Sequence, residues 1–184
     1  HLKRMDPAEK TQLLLSVLVE HGWSYDPAWN VANVATQEDY AARLVALLGG
    51  RFSNLRNLPE QLGFFFADDH EVDADAWRDV VASAEGQERL RAILGALETS
   101  LPADAPAGAE DFEQLVRDQA ERGGLKAGDL IHPLRVALTG QSRSAGIFDV
   151  MEVLGLPRVR KRIERALACA TTDRGSVARF WGIL

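Results

Sequence analysis

Residues 124 to 167, GLKAGDLIHPLRVALTGQSRSAGIFDVMEVLGLPRVRKRIERAL, hold the pattern that decides the fold. The apolar residues recur at helical spacing, and the interruptions fall on glycine and proline. One helix is expected from about Ala127 to Leu138. A compact pair follows, Phe148 to Leu154 and Pro157 to Ala170, joined by Gly155 and restarted by Pro157, whose fixed φ and missing N–H suit a first helical turn. The last of these helices carries a run of basic residues, Arg158 to Arg165.

The same period continues upstream. Phe112, Leu115 and Val116 mark a helix ending at Gly123-Gly124, while Thr99 to Ala109, TSLPADAPAGA, holds two prolines and small residues and is expected to be irregular. Residues 99–109 are therefore taken as a linker between a first helical subdomain, 1–98, and a second, 110–184. In the first, Asp6-Pro7-Ala8-Glu9 is a helix start, with Asp6 capping and Glu9 reaching back. Leu14, Leu15, Leu18 and Val19 mark its face as far as Gly22. Trp23 to Asn33, with Tyr25, Pro27 and Trp29, breaks the period and reads as a packed connection. Thr36 caps a second helix through Leu48, where Gly49-Gly50 either ends it or loosens it. A short helix after Leu58-Pro59-Glu60 is expected to drop Phe64, Phe65 and Phe66 into a core, before the acidic pair Asp68-Asp69. Asp73 caps the next stretch, with Trp77, Val80 and Val81 apolar, and Gln87 to Leu97 continues it. At the far end Val177, Phe180 and Trp181 predict a last helix within Asp173 to Leu184. The fold class is all-α, two consecutive helical subdomains forming a bundle or cage.

Composition sets limits on function. Hydrophobic residues at 46% and charged residues at 26% are ordinary for a globular chain. No apolar run approaches the roughly 18 residues of a membrane span, and HLKRMDPAEK lacks the core of a signal peptide. With one cysteine, Cys169, a disulfide framework within the chain is excluded. A cytoplasmic protein is expected, without a membrane partner. The chain opens on histidine in what looks like the middle of a helical region, which suggests a piece of something longer. The net charge of −6 is unevenly placed: residues 1–124 carry 11 Lys and Arg against 22 Asp and Glu, residues 125–184 carry 10 against 5. A basic third on an acidic body suits local contact with phosphates, since attraction fades within about 8 to 10 Å. A solvated basic helix face explains the same charge.

Catalytic equipment is missing. There is no phosphate-cradling glycine motif, no His-Glu-x-x-His and no nucleophile elbow. His1, His21, His70 and His132 are scattered without metal-ligand spacing, so no metal site and no catalytic residue is assigned.

The quoted stretch resembles the C-terminal anticodon-binding region of bacterial-type glutamyl-tRNA synthetases. The resemblance rests on Pro133-Leu134-Arg135-Val136-Ala137-Leu138-Thr139-Gly140, then Ser144-Ala145-Gly146-Ile147-Phe148, then Leu154-Gly155, then the basic run. Upstream, Arg51-Phe52-Ser53-Asn54-Leu55 with the phenylalanine run is similar to that family's arginine-containing turn and aromatic segment. Ala145 stands where a proline is common, Leu156-Pro157 replaces a Lys-Glu pair, and the tail after Ala168 has no counterpart. The family's catalytic domain, which uses ATP and Mg and carries His-x-Gly-His and Lys-Met-Ser-Lys-Ser type motifs, has no trace in these residues. The resemblance thus implies a non-catalytic module that binds tRNA, glutamate-specific, beside a catalytic domain of the same polypeptide, with no DNA partner and no cofactor of its own.

By resemblance, Arg51 faces the third anticodon base, Arg135 lies near the anticodon, and Ser144, Ala145, Gly146 and Ile147 form a loop against the first two bases. The chemistry agrees for Arg51, because cytosine offers adjacent acceptors to a donor-only guanidinium fork where guanine offers a ring donor. Arg158, Arg160, Lys161 and Arg162 are candidate phosphate contacts. Each has a plainer explanation: a surface arginine at a helix end for Arg51, an interhelical ion pair for Arg135, loop punctuation for Gly146, and solubilisation for the basic run. Two other functions stay open, a helical module docking a protein through its aromatic-rich first half and a free-standing tRNA-binding homologue without synthetase activity. Convergence of Arg51, Arg135 and the 144–147 loop on one face separates the RNA reading from protein docking.

Overall fold

A computed structural model describes residues 2–67 and 71–172. The expected helix within Asp173 to Leu184, the pair Asp68-Asp69, and His1 and His70 lie outside the described residues. Those described form nine α-helices joined by short 3₁₀ turns, with no strand among them. Helix α1, Pro7–Glu20, begins on the expected reciprocal cap: Asp6 Oδ1 accepts the Glu9 N–H at 2.8 Å and Glu9 Oε2 accepts the Asp6 N–H at 3.1 Å. Its Leu14 and Leu18 are wholly buried, and α1 packs on α2, Gln37–Leu48. Thr36 caps α2 by accepting the Asp39 N–H, while the Asp39 carboxylate accepts from Ala35 and Thr36 N–H. The Thr36 hydroxyl first, then those two main-chain donors, hold the Asp39 carboxyl below the usual range.

The connection between α1 and α2 is an aromatic layer. Tyr25 stacks on Tyr40 at 4.8 Å, and Trp29 meets the edge of Tyr40 at 5.5 Å. Phe66, the last residue of α3, Leu58–Phe66, lies parallel to Trp23 at 5.1 Å, while Phe64 and Phe65 point into the core as the sequence predicts. Such pairs contribute about 0.5–1.5 kcal/mol beyond the area they bury.

Helix α4, Ala74–Ala76, capped by Asp73, widens into a π-helical turn over Trp77–Val81. Ser83 starts α5, Ala84–Ser100, by accepting the Gly86 N–H. A Cβ on Gly86 would fall 1.7 Å from the Val80 carbonyl oxygen, so only glycine lets the two helices join so tightly. Then follow α6, Ala109–Arg122, α7, Ala127–Thr139, α8, Ile147–Leu154, and α9, Leu156–Thr172. Helix α5 continues through Ser100 and α6 starts at Ala109, so the irregular connection is 101–108 rather than 99–109. Across it α5 packs on α6, α7 and α9, while α2 packs on α8, and one hydrophobic cluster includes residues from both sides.

The junction of α8 and α9 is where the first half meets the second. Gly155 sits at φ +83°, and a Cβ there would lie 1.8 Å from the Trp29 carbonyl oxygen. Tyr40 Oη donates to the Val153 carbonyl at 3.0 Å. The Arg158 guanidinium lies over the Trp29 ring, 4.1 Å from its centroid. The last carbonyls of a helix have no intrahelical donor, and the basic run of α9 supplies donors to three such ends. Arg158 Nη1 donates to Phe65 O at 2.7 Å and Arg162 Nη2 to Phe64 O at 2.5 Å, both at the end of α3. Arg162 Nη1 donates to Leu138 O at 2.6 Å, at the end of α7. Arg160 Nη2 donates to Leu97 O and Leu101 O at 2.6 and 2.8 Å, closing α5. Arg162 is 1% exposed, so its charge is solvated by these helix ends instead of by water.

Candidate nucleic-acid interface

Arg162 bonds α3 and α7 together at the ends that flank a cleft of about 410 Å³. Its walls come from the turn after α2, from α3, and from the loop between α7 and α8. Helix α2 stops at Leu48 because Gly49 takes φ +49°, and a 3₁₀ turn, Gly49–Arg51, follows. Phe52 is 1% exposed and anchors that turn, leaving Arg51 and Ser53 exposed on either side of it. On the opposite wall α7 ends at Gly140, φ +73°, where a Cβ would come within 2.6 Å of the Glu71 carbonyl oxygen. The Asp73 N–H donates to Gly140 O at 2.8 Å, which fixes the point where the loop departs.

Arg135 shapes that loop from inside. Its Nη1 donates to Ser144 Oγ at 2.5 Å and to the Ala145 carbonyl at 2.8 Å. Burial, and after it the nearby Arg51 guanidinium, push the Arg135 side chain below the ordinary arginine range. Arg135 therefore backs the loop, near enough to Arg51 for the two charges to oppose each other. Ser144 and Ala145 line the cleft together with Arg51. Gly146 is exposed at φ −50° and caps α8; a Cβ there would meet only the end of the Asp149 side chain, so the backbone makes no special demand for glycine. Ile147 is 2% exposed, and its side chain belongs to the core.

The basic run requires a correction. Arg158 and Arg162 are interior, with their guanidinium groups given to helix-end carbonyls, so they are not placed for phosphate contacts, and half-buried Arg160 gives one nitrogen to the same use. Of the four candidates only Lys161 is exposed. Three cleft residues, in turn, escaped the sequence reading: Gln61 on α3, Gln141 and Arg143. Arg143 had a signal, a cation between two serines inside the quoted loop. Gln61 had none, since only the packing of α3 brings it there. Among the described residues no group of three or more His, Cys, Asp or Glu can hold a metal ion, and no helix is long and apolar enough to cross a membrane.

A family model described as an anticodon binding domain matches residues 11–167. The glutamate–tRNA ligase of Rhodopseudomonas palustris is 36% identical over 156 residues, covering 81% of this chain and 31% of that protein. The glutamate–tRNA ligase of Thermus thermophilus is 35% identical over 131 residues, covering 71% of this chain and 26% of that protein. The chain thus spans about a quarter to a third of the length of these relatives. In fold it is similar to a crystal structure of a glutamate tRNA ligase from Elizabethkingia meningosepticum, with a TM-score of 0.74 at 22% identity over 92% of this chain and 30% of that one. With the family model matching most of its length, the chain belongs to the anticodon binding domain family.

Proposed function

We propose that this chain performs the anticodon recognition of a glutamyl-tRNA synthetase, as its C-terminal part, while the ligation of glutamate with ATP and Mg belongs to a catalytic domain of the same polypeptide. The observation that carries this reading is that Arg51 and the Ser144-Ala145 loop, far apart in sequence, line one cleft, with Arg135 binding the loop from behind. Groups meeting on one face favour RNA over a protein-docking use of the aromatic first half, whose rings are largely occupied with one another.

Sequence-specific RNA recognition grips unstacked bases by their edges, and an anticodon loop presents three of them. In the proposed complex the third base enters beside Arg51. The guanidinium fork donates to the ring nitrogen and carbonyl of cytosine, the third base of glutamate anticodons; guanine, the third base of glutamine anticodons, turns a ring N–H toward the same fork. The main chain of 144–146, held by Arg135, abuts the first two bases. Binding of the purified chain to glutamate tRNA and glutamine tRNA tests the proposal. Tighter binding to glutamate tRNA is expected, with Arg51→Gln narrowing the gap; equal affinity of the unaltered chain for the two counts against it.

A further inference from the structure

Among the described residues, those lining the cleft include two arginines, Arg51 and Arg143, and no carboxylate, on a chain whose net charge is −6. Both side chains are exposed, and neither makes a hydrogen bond or ion pair with any described group. Elsewhere Arg43, Arg78, Arg89 and Arg117 pair with carboxylates, and Arg158, Arg160 and Arg162 cap helix ends. With Arg135 behind the loop, guanidinium groups gather at a cleft whose described lining holds no carboxylate, an arrangement that suits an anion.

The two free arginines are held differently. Arg51 ends a turn held by the buried Phe52 that follows it, a support that suits a group required to match one base edge. Arg143 is exposed beside exposed Ser142, with no hydrogen bond or ion pair to a described group to lock its rotamer. A base drawn into the cleft leaves its sugar and phosphate at the rim, where a mobile cation neutralises charge without needing exact geometry.

We propose, building on the function above, that Arg143 takes a backbone phosphate of the bound RNA loop and so supplies affinity without base preference, whereas Arg51 supplies the preference. The test uses the whole chain and two anticodon stem–loops that differ only in cytosine or guanine at the third anticodon position. Their binding is followed by fluorescence anisotropy over a range of salt. Arg143→Gln is expected to weaken both loops by the same factor, about tenfold, and to lower the slope of log affinity against log salt by about 0.7, the value for one phosphate contact on a single strand. Arg143→Lys is expected to restore most of that slope, because a point charge serves a phosphate as well as a fork does. An Arg143→Gln variant that alters the cytosine-to-guanine ratio, or leaves the salt slope unchanged, overturns the assignment. A wild-type chain that binds neither loop overturns the proposed function itself, and the Arg143 role with it, before any variant is made. Thermal melting of the Arg143→Gln variant is expected to match the wild type, since the residue is exposed and bonded to nothing.

Discussion

The arginines of α9 and the arginines of the cleft share a side chain and differ in everything that surrounds it. Arg158, Arg160 and Arg162 are spent on the carbonyl ends of α3, α5 and α7, and Arg162 is almost wholly removed from water. Arg51 and Arg143 are exposed beside a cleft with no carboxylate among its described lining residues, and Arg135 stands between the two classes, half-buried with one nitrogen committed to the loop. A guanidinium near a helix C-terminus finds oriented acceptors and becomes part of the fold; one with no acceptor in reach stays available to a ligand. The densest basic run in the sequence is for that reason structural, and the isolated arginines are the candidates for RNA.

The largest effect expected from this contrast is on stability. Arg162→Leu leaves the ends of α3 and α7 without their shared donor and is expected to cost about 3–5 kcal/mol in urea unfolding; a loss below about 1 kcal/mol would show that the buried guanidinium is not what holds these ends. Gly155→Ala, which must move the Trp29 main chain on which Arg158 rests, is expected to cost about 2–4 kcal/mol by the same measurement, through strain at positive φ and the clash together. Arg51→Gln is expected to leave stability unchanged and to remove about 1–3 kcal/mol of binding to a cytosine-ended anticodon, seen as a reduced ratio of the two stem–loop affinities rather than a general loss. The smallest effect belongs to Lys161→Gln, on the same helix as the caps but exposed. Its unfolding free energy is expected to shift by no more than about 0.5 kcal/mol, which separates position from charge within a single basic run.

Much of the fold was legible from local chemistry. The caps at Asp6, Thr36 and Asp73 start helices where the sequence places them, and Pro157 lies in the first turn of α9. Gly123-Gly124, Gly140 and Gly155 stop helices because the stop is a property of one or two residues. The phenylalanine run ends a helix as expected. The π-helical turn at Trp77–Val81 was not legible, since it depends on Val80 and Gly86 meeting closely. At the cleft, the arginine turn and the 144–145 loop were singled out, yet Gln61 was not, because its role depends on where α3 is docked. Ile147 was read as a loop residue, but its side chain fills the core, since α8 begins on it.

The sequence alone determined the all-α character and many of the helix starts and stops, because hydrophobic period, capping and glycine conformation act within a few residues. Only the tertiary structure decided which cations are caps and which are free. A helical pattern states which residues share a face but not what that face meets, and the carbonyls that bind Arg160 and Arg162 lie as many as 63 and 98 residues away along the chain.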